Sequence, residues 1–138
     1  MSEQHIIVNG ILEHDGKIFL AKRAKTKKIA PGKWHLPGGH IEFGETPKQA
    51  LAREFKEEFK LNISVGSIVR AFSYVESDIQ TIGLTYRISC NRLPSKIYND
   101  PSDNERIEWI DVANIDQHLT ESDHDCVTLR QFQKLRLN

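Results

Sequence analysis

Three glutamates, Glu54, Glu57 and Glu58, lie close together in a charged stretch between Pro47 and Leu61. Thr46 is a good helix N-cap, and Pro47 suits the first helical position, where a missing N–H costs nothing. The stretch therefore predicts a helix from Pro47 to Lys60. At about 100° per residue, Leu51, Ala52, Phe55 and Phe59 fall on one flank. The three glutamates share the adjoining flank within about 100° of arc, while Gln49, Lys56 and Lys60 lie towards solvent. An ordinary solvated face interleaves its charges, because i,i+4 pairs of opposite sign contribute about 0.2–0.5 kcal/mol each. Here Glu54 and Glu58 are like charges at that spacing, and only Arg53, four before Glu57, offers relief. A hard divalent cation reverses the sign of this penalty, and carboxylate clusters are what Mg²⁺ or Mn²⁺ prefer. The stripe reads as a metal site.

The run Gly38-Gly39-His40-Ile41-Glu42-Phe43-Gly44-Glu45 precedes the helix, and its glycines predict a turn whose backbone can approach a ligand closely. With the helix it resembles the Nudix box, G-x5-E-x7-R-E-U-x-E-E-x-G-U, where U is bulky and apolar. Gly39, Glu45, Arg53, Glu54, Glu57 and Glu58 match across 23 residues, with Phe55 and Leu61 matching in character. Lys60 departs, standing where the pattern has the glycine that ends the helix; Asn62 is a possible left-handed substitute. Upstream, Trp34-His35-Leu36-Pro37-Gly38-Gly39 is similar to the W-x-[LF]-P-G-G stretch of MutT-type Nudix proteins.

The resemblance implies a fold, a metal and a reaction. The fold is α/β (α+β), a Nudix-type α/β/α sandwich around a mixed sheet. The metal is Mg²⁺, with Mn²⁺ a possible substitute, held by Glu54, Glu57, Glu58 and the carbonyl of Gly38. Arg53 and Glu45 match positions that brace one another and hold the glycine segment to the helix. The general base is Glu54 first, Glu105 second, with Glu108 a competitor in the same strand. Substrate contacts are expected from Arg23, His35, Leu36 and Gly39. The implied reaction takes a nucleoside triphosphate, an oxidised deoxynucleoside triphosphate among the candidates, to the monophosphate and pyrophosphate. One alternative is an ADP-ribose or other nucleoside-diphosphate pyrophosphatase. Many of those carry a proline about 16 residues beyond the box, and no proline occurs here between Leu61 and Leu93. A second alternative is a nucleotide-sensing module without catalysis, although such modules usually lose box carboxylates and all are present here.

Composition permits these readings. The 138 residues are expected to form one domain, 1–138, with 38% apolar content to furnish its core. No apolar run approaches the roughly 18 residues of a membrane span. Nineteen basic and 19 acidic side chains cancel, so no global field draws in nucleic acid polymer or anionic membrane. Cys90 and Cys126 are two widely spaced residues, read as thiols and not as a disulfide or zinc site. The N-terminus lacks the basic and apolar regions of a signal peptide, so the expected location is cytoplasmic. The expected partner is a small nucleotide; the sequence leaves monomer and homodimer open.

The remaining chain must position the stripe. His5–Glu13 and Lys17–Lys22 predict strands joined at Asp15-Gly16, a hairpin signal. Lys22 to Lys33 carries six basic residues and closes on Ala30-Pro31-Gly32, a loop that is either solvated or a phosphate-attracting rim. Trp34 to Leu36 predict a short strand, with His35 on the side opposite its neighbours. Ile63–Val75 and Ile79–Cys90 predict a strand pair joined across Glu76-Ser77-Asp78, with Gly83 a candidate bulge. Asn91–Asn104 reads as loop, and Glu105–Ile110 as a strand placing Glu105, Ile107 and Trp109 on one face. Asp111 can cap a short helix over Val112–His118. A last helix, Ser122–Leu135, is expected to pack through Val127, Leu129, Phe132 and Leu135.

Overall fold

One strand organises the sheet. β1 (Glu3–His14) pairs in parallel with β6 (Ile79–Ser89) along one edge, from Glu3↔Ile79 to Leu12↔Ile88. Its other edge is shared between β4 (Gly38–His40) near the middle and β2 (Lys17–Arg23) at the end, both antiparallel. The structure, a computed structural model, describes residues 2–137. β3 (Trp34–His35) and β7 (Asn104–Asp111) pair with β2, and β5 (Ser64–Glu76) pairs antiparallel with β6. The result is a mixed seven-stranded sheet, as expected.

Alternation along the strands builds a core on each face. Phe19 and Ala21 of β2, with Val8 and Leu12 of β1, meet α1 (Pro47–Phe59) through Ala50, Leu51, Phe55 and Phe59. Ile18 and Leu20, with Ile11, meet a 3₁₀ turn (Val112–Gln117) and α2 (His124–Leu137) through Ile115, Leu119, Cys126, Leu129 and Phe132. Helix, sheet and helix form the expected three layers. Neither cysteine is bonded to another.

Local chemistry accounts for the turns. Asp15 and Gly16 both take positive φ, 52° and 79°, as a two-residue hairpin turn requires. Ser77 and Asp78 do the same at the β5–β6 turn, φ 50° and 63°. Several sequence expectations are corrected. Gly38 and Gly39 are not a turn but a strand; the turn follows at Glu42–Glu45, where Gly44 has φ 88° and the Glu45 N–H donates to the Glu42 carbonyl at 3.0 Å. Gly83 carries no bulge: it pairs in register with Ile7 and Phe72, and a Cβ there would lie 2.2 Å from the Phe72 ring. Register shifts fall instead in β5, between Val65 and Arg70, and where β2 pairs with β7, between Lys22 and Arg23. Asp111 stands at the N-cap position but makes no capping bond. On α2, Val127 and Leu135 are exposed, and Cys126 joins Leu129 and Phe132 in the core instead.

Candidate metal and phosphate site

The start of α1 is fixed by a full capping box. Thr46 Oγ1 accepts from the Gln49 N–H at 3.2 Å, and Gln49 Oε1 accepts from the Thr46 N–H at 3.0 Å. This sets the rotation of the helix, and Arg53, two turns on, becomes the hub of the site. Its Nε donates to Glu45 Oε2 at 2.7 Å and its Nη2 to Glu45 Oε1 at 2.9 Å. Nη2 also donates to the His40 carbonyl at 3.1 Å, and Nη1 to Glu54 Oε1 at 3.0 Å and Glu57 Oε2 at 3.3 Å. One guanidinium thus joins β4, the Glu42–Glu45 turn and the helix. The Arg53 fork, with the Glu42 N–H at 2.9 Å, holds the Glu45 carboxyl below its usual range.

Strand β4 lies hard against the helix. A Cβ on Gly39 would sit 2.4 Å from the Glu54 carboxyl carbon, and one on Gly38 only 1.9 Å from the Val8 carbonyl oxygen. Both glycines serve close approach. The Gly10 N–H bonds the Pro37 carbonyl and the Ile41 N–H bonds the Ile6 carbonyl, so antiparallel alternation turns the Gly38 and His40 carbonyls away from β1. His40 O meets Arg53 on that side, and Gly38 O faces the same edge.

The carboxylates differ in setting. Burial raises the Glu54 carboxyl, with Arg53 pulling against it. Burial raises Glu58 more, up to about 7, helped by the charges of Glu54 and Asp103. Glu58 Oε2 is buried with no hydrogen-bond partner. Glu57 is exposed, its side chain 62% accessible. Among the described residues, no three His, Cys, Asp or Glu side chains converge as a coordination set; Arg53 draws Glu54 and Glu57 to itself. The donor chemistry nevertheless fits a hard cation: an orphaned carboxyl oxygen, two further carboxylates on the same helix flank, and a carbonyl edge opposite them.

The other expected residues are scattered around this centre. Arg23 Nε donates to the Ile29 carbonyl at 2.8 Å, and its charge reaches Glu58, His35 and His40. Lys27 pairs with Asp103 at 3.3 Å, tying the basic loop to the segment before β7. His35 is turned inward, with Nδ1 3.0 Å from the Leu36 carbonyl and Nε2 3.4 Å from Asn104 Oδ1, and burial pushes it down to about 4. The Leu36 side chain is 2% exposed and lies in the core layer under α2, which leaves its backbone as the part that could meet a substrate. Glu105 is exposed, 3.7 Å from Lys22, and is the residue skipped where β7 shifts register against β2, so the expected alternation with Ile107 and Trp109, which face α1, breaks at this position. Glu108 points to the opposite face, where His118 Nε2 lies 3.1 Å away and Arg106 pairs with it. Asn62 does not end the helix; Lys60 itself takes the left-handed conformation, φ 55° and ψ 34°, and donates its N–H to the Lys56 carbonyl at 3.1 Å.

Two features escaped the sequence reading. Asn104, 2% exposed, stands between His35 and Glu58 at the first position of β7. A second polar chain runs behind β4: Asp125 accepts from the Leu36 N–H at 2.9 Å and from Asn9 Nδ2 at 3.2 Å, and Asn9 accepts from Thr85. The available signal was Asn9, an amide in an otherwise apolar strand, and Asp125, a carboxylate on the inward flank of α2.

Comparison with known proteins places the chain in a family. The family profile described as the NUDIX domain matches residues 3–131. A nucleoside triphosphatase, NudI, from Enterobacter sp. (strain 638) is 31% identical over 93 residues, covering 62% of this chain and 66% of that protein. An ADP-ribose pyrophosphatase from Methanocaldococcus jannaschii is 41% identical over 73 residues, covering 53% and 42%. A CTP pyrophosphohydrolase from Escherichia coli K12 is 43% identical over 63 residues, covering 46% of each. The match spans less than two thirds of these relatives. Among solved structures, a MutT protein from Methanosarcina mazei Go1 superposes with TM-score 0.85 at 19% identity, covering 99% of this chain and 98% of that one, a likeness of fold. The E. coli ORF135 protein gives TM-score 0.75 at 27% identity, covering 98% and 92%.

Proposed function

The chain belongs to the NUDIX family, and on that premise we propose that it is a Mg²⁺-dependent hydrolase taking a nucleoside triphosphate to the monophosphate and pyrophosphate. The observation that carries the reading is the glutamate stripe of α1, held by Arg53 and Glu45 against the carbonyl edge of β4. Glu54, Glu57, Glu58 and the Gly38 carbonyl would hold the ion. Bound there, a divalent ion would supply charge neutralisation for the phosphates and a lowered pKa for attacking water.

The chain's own residues do the rest. Arg53 fixes Glu54 through one oxygen and leaves the second free to take a proton, and burial raises that carboxyl's affinity for protons, the direction a general base needs. Glu105, beside Lys22 at the start of β7, is the reserve. Arg23 and the lysines of the basic loop supply cationic company for the outer phosphates. A charged chain of phosphates leaves most readily as a neutralised unit, so attack falls on the phosphorus nearest the nucleoside and pyrophosphate departs. An oxidised deoxynucleoside triphosphate belongs to the same class. A second reading, cleavage of ADP-ribose or a related diphosphate, is favoured by the similarity to a protein named for that activity. We place residues 1–138 in one domain and the protein in the cytoplasm, where free thiols such as Cys90 and Cys126 are the rule.

Reaction in ¹⁸O-labelled water over a panel of triphosphates and ADP-ribose, with and without Mg²⁺, tests this. Label is expected in the monophosphate and none in the pyrophosphate. Label in pyrophosphate means attack at the middle phosphorus. Inert triphosphates with cleaved ADP-ribose establish the second reading in place of the first.

A further inference from the structure

Away from the glutamate stripe, two imidazoles meet across the β1–β4 pair. His40 lies opposite Ile7, which makes His5 its diagonal neighbour on the same sheet face. His5 Nδ1 and His40 Nε2 stand 3.3 Å apart, with ring centroids 5.3 Å apart and the rings inclined at 69°. With a proton on one of these nitrogens the contact is a long hydrogen bond, at the edge of the usual range of about 2.7–3.2 Å. It also matches another geometry. Two imidazole nitrogens bound to one tetrahedral ion at about 2.0–2.1 Å lie about 3.3–3.4 Å apart.

The outer side of His5 completes the pattern. Its Nε2 lies 3.0 Å from Glu3 Oε2, so the carboxylate holds the ring proton on Nε2 and leaves the Nδ1 lone pair aimed at His40. A carboxylate behind a histidine whose other nitrogen faces inward is the usual support of a metal-binding imidazole. From these atoms we propose that His5 and His40, oriented by Glu3, form a binding site for a borderline divalent cation such as Zn²⁺, separate from the carboxylate site for Mg²⁺. Imidazole nitrogen favours Zn²⁺, Ni²⁺ or Cu²⁺ over Mg²⁺, so the two sites sort ions by ligand type. Water fills the remaining positions. An ion held here cross-links β1 to β4 one residue beyond Gly39, and so rigidifies the strand that faces the glutamates.

Calorimetric titration of the whole protein with Zn²⁺, in excess Mg²⁺ and without nucleotide, tests the site independently of any hydrolysis. One equivalent of Zn²⁺ is expected to bind and to raise the thermal midpoint. His5→Gln and His40→Gln should each weaken binding by at least about tenfold, and Glu3→Gln by about tenfold. Co²⁺ in place of Zn²⁺ should show the visible absorption of a tetrahedral site, lost in His5→Gln. Zn²⁺ binding that survives both histidine substitutions, that disappears in Glu58→Gln instead, or that is absent from the wild-type protein overturns the proposal.

Discussion

Arg53 grips Glu45 through two nitrogens, Nε at 2.7 Å and Nη2 at 2.9 Å, across a separation of eight residues. The pair is more than a surface contact, because the same guanidinium reaches the His40 carbonyl and Glu54. A planar fork can serve all these acceptors together, whereas an ammonium is a compact point charge on a flexible stem. Arg53→Lys is therefore expected to keep the charge, lose the brace and lower kcat at least about tenfold, with a smaller change in KM. Turnover at saturating Mg²⁺ decides it; a wild-type rate in Arg53→Lys removes the brace from the reaction.

Glu57→Gln and Glu58→Gln should each cut turnover by orders of magnitude while the fold persists, since each deletes a ligand charge and no core contact. Glu58 adds a pH signature. Its carboxyl, raised from 4.5 to about 7, binds a proton more tightly in the folded protein than in the unfolded chain. The group's contribution to stability is then present at low pH and is lost as pH rises from about 4.5 to about 7, remaining level above that. Metal affinity runs the other way, rising with pH through the same window because the ligand must lose its proton. In Glu58→Gln both dependences should flatten. Urea unfolding and Mn²⁺ titration between pH 5 and 8 measure them; an unchanged pH slope in the variant sinks the assignment.

The proton acceptor separates by substitution. Glu54→Gln is expected to lose activity that excess Mg²⁺ does not restore, while Glu105→Gln, exposed and 3.7 Å from Lys22, has a modest effect. Collapse of kcat in Glu105→Gln with unchanged metal affinity would transfer the role to Glu105. Glu108→Gln serves as the control, because that side chain faces His118 on the other side of the sheet.

What could be read from the chain follows the range of the forces involved. The α1 start, the Asp15-Gly16 hairpin and the apolar alternation of β2 are set by neighbours within a few residues, and these were readable. Gly38 and Gly83 were misread because their reason is tertiary: each leaves room for a distant group, the Val8 carbonyl or the Phe72 ring. Leu36 could not be told from a ligand contact without knowing that α2 folds over it. Asn104 lies 46 residues beyond Glu58 in sequence, and only the sheet brings β7 beside the helix.

Lys60 gives the last prediction. Where the family pattern has glycine, this chain ends α1 on a lysine with φ 55° and ψ 34°. The left-handed conformation costs a residue with a Cβ about 1–2 kcal/mol, and glycine escapes that cost while losing more backbone entropy on folding. Lys60 recovers part of the difference, since its Nζ sits 4.3 Å from the centre of the Tyr98 ring, an exposed cation–π contact of about 0.5–1 kcal/mol. Glycine's entropy and the lost ring contact, about 0.5–1 kcal/mol each, together offset that strain, so Lys60→Gly is expected to be near neutral, within about 1 kcal/mol. Turnover should not change, because Lys60 lies on the solvent side of the helix end, away from the glutamate flank. In a Tyr98→Leu background, which removes the ring, Lys60→Gly should become stabilising by about 0.5–1 kcal/mol. Urea unfolding of the four proteins in this cycle measures both quantities. Lys60→Gly destabilising the Tyr98→Leu protein would show that the left-handed lysine carries no net strain.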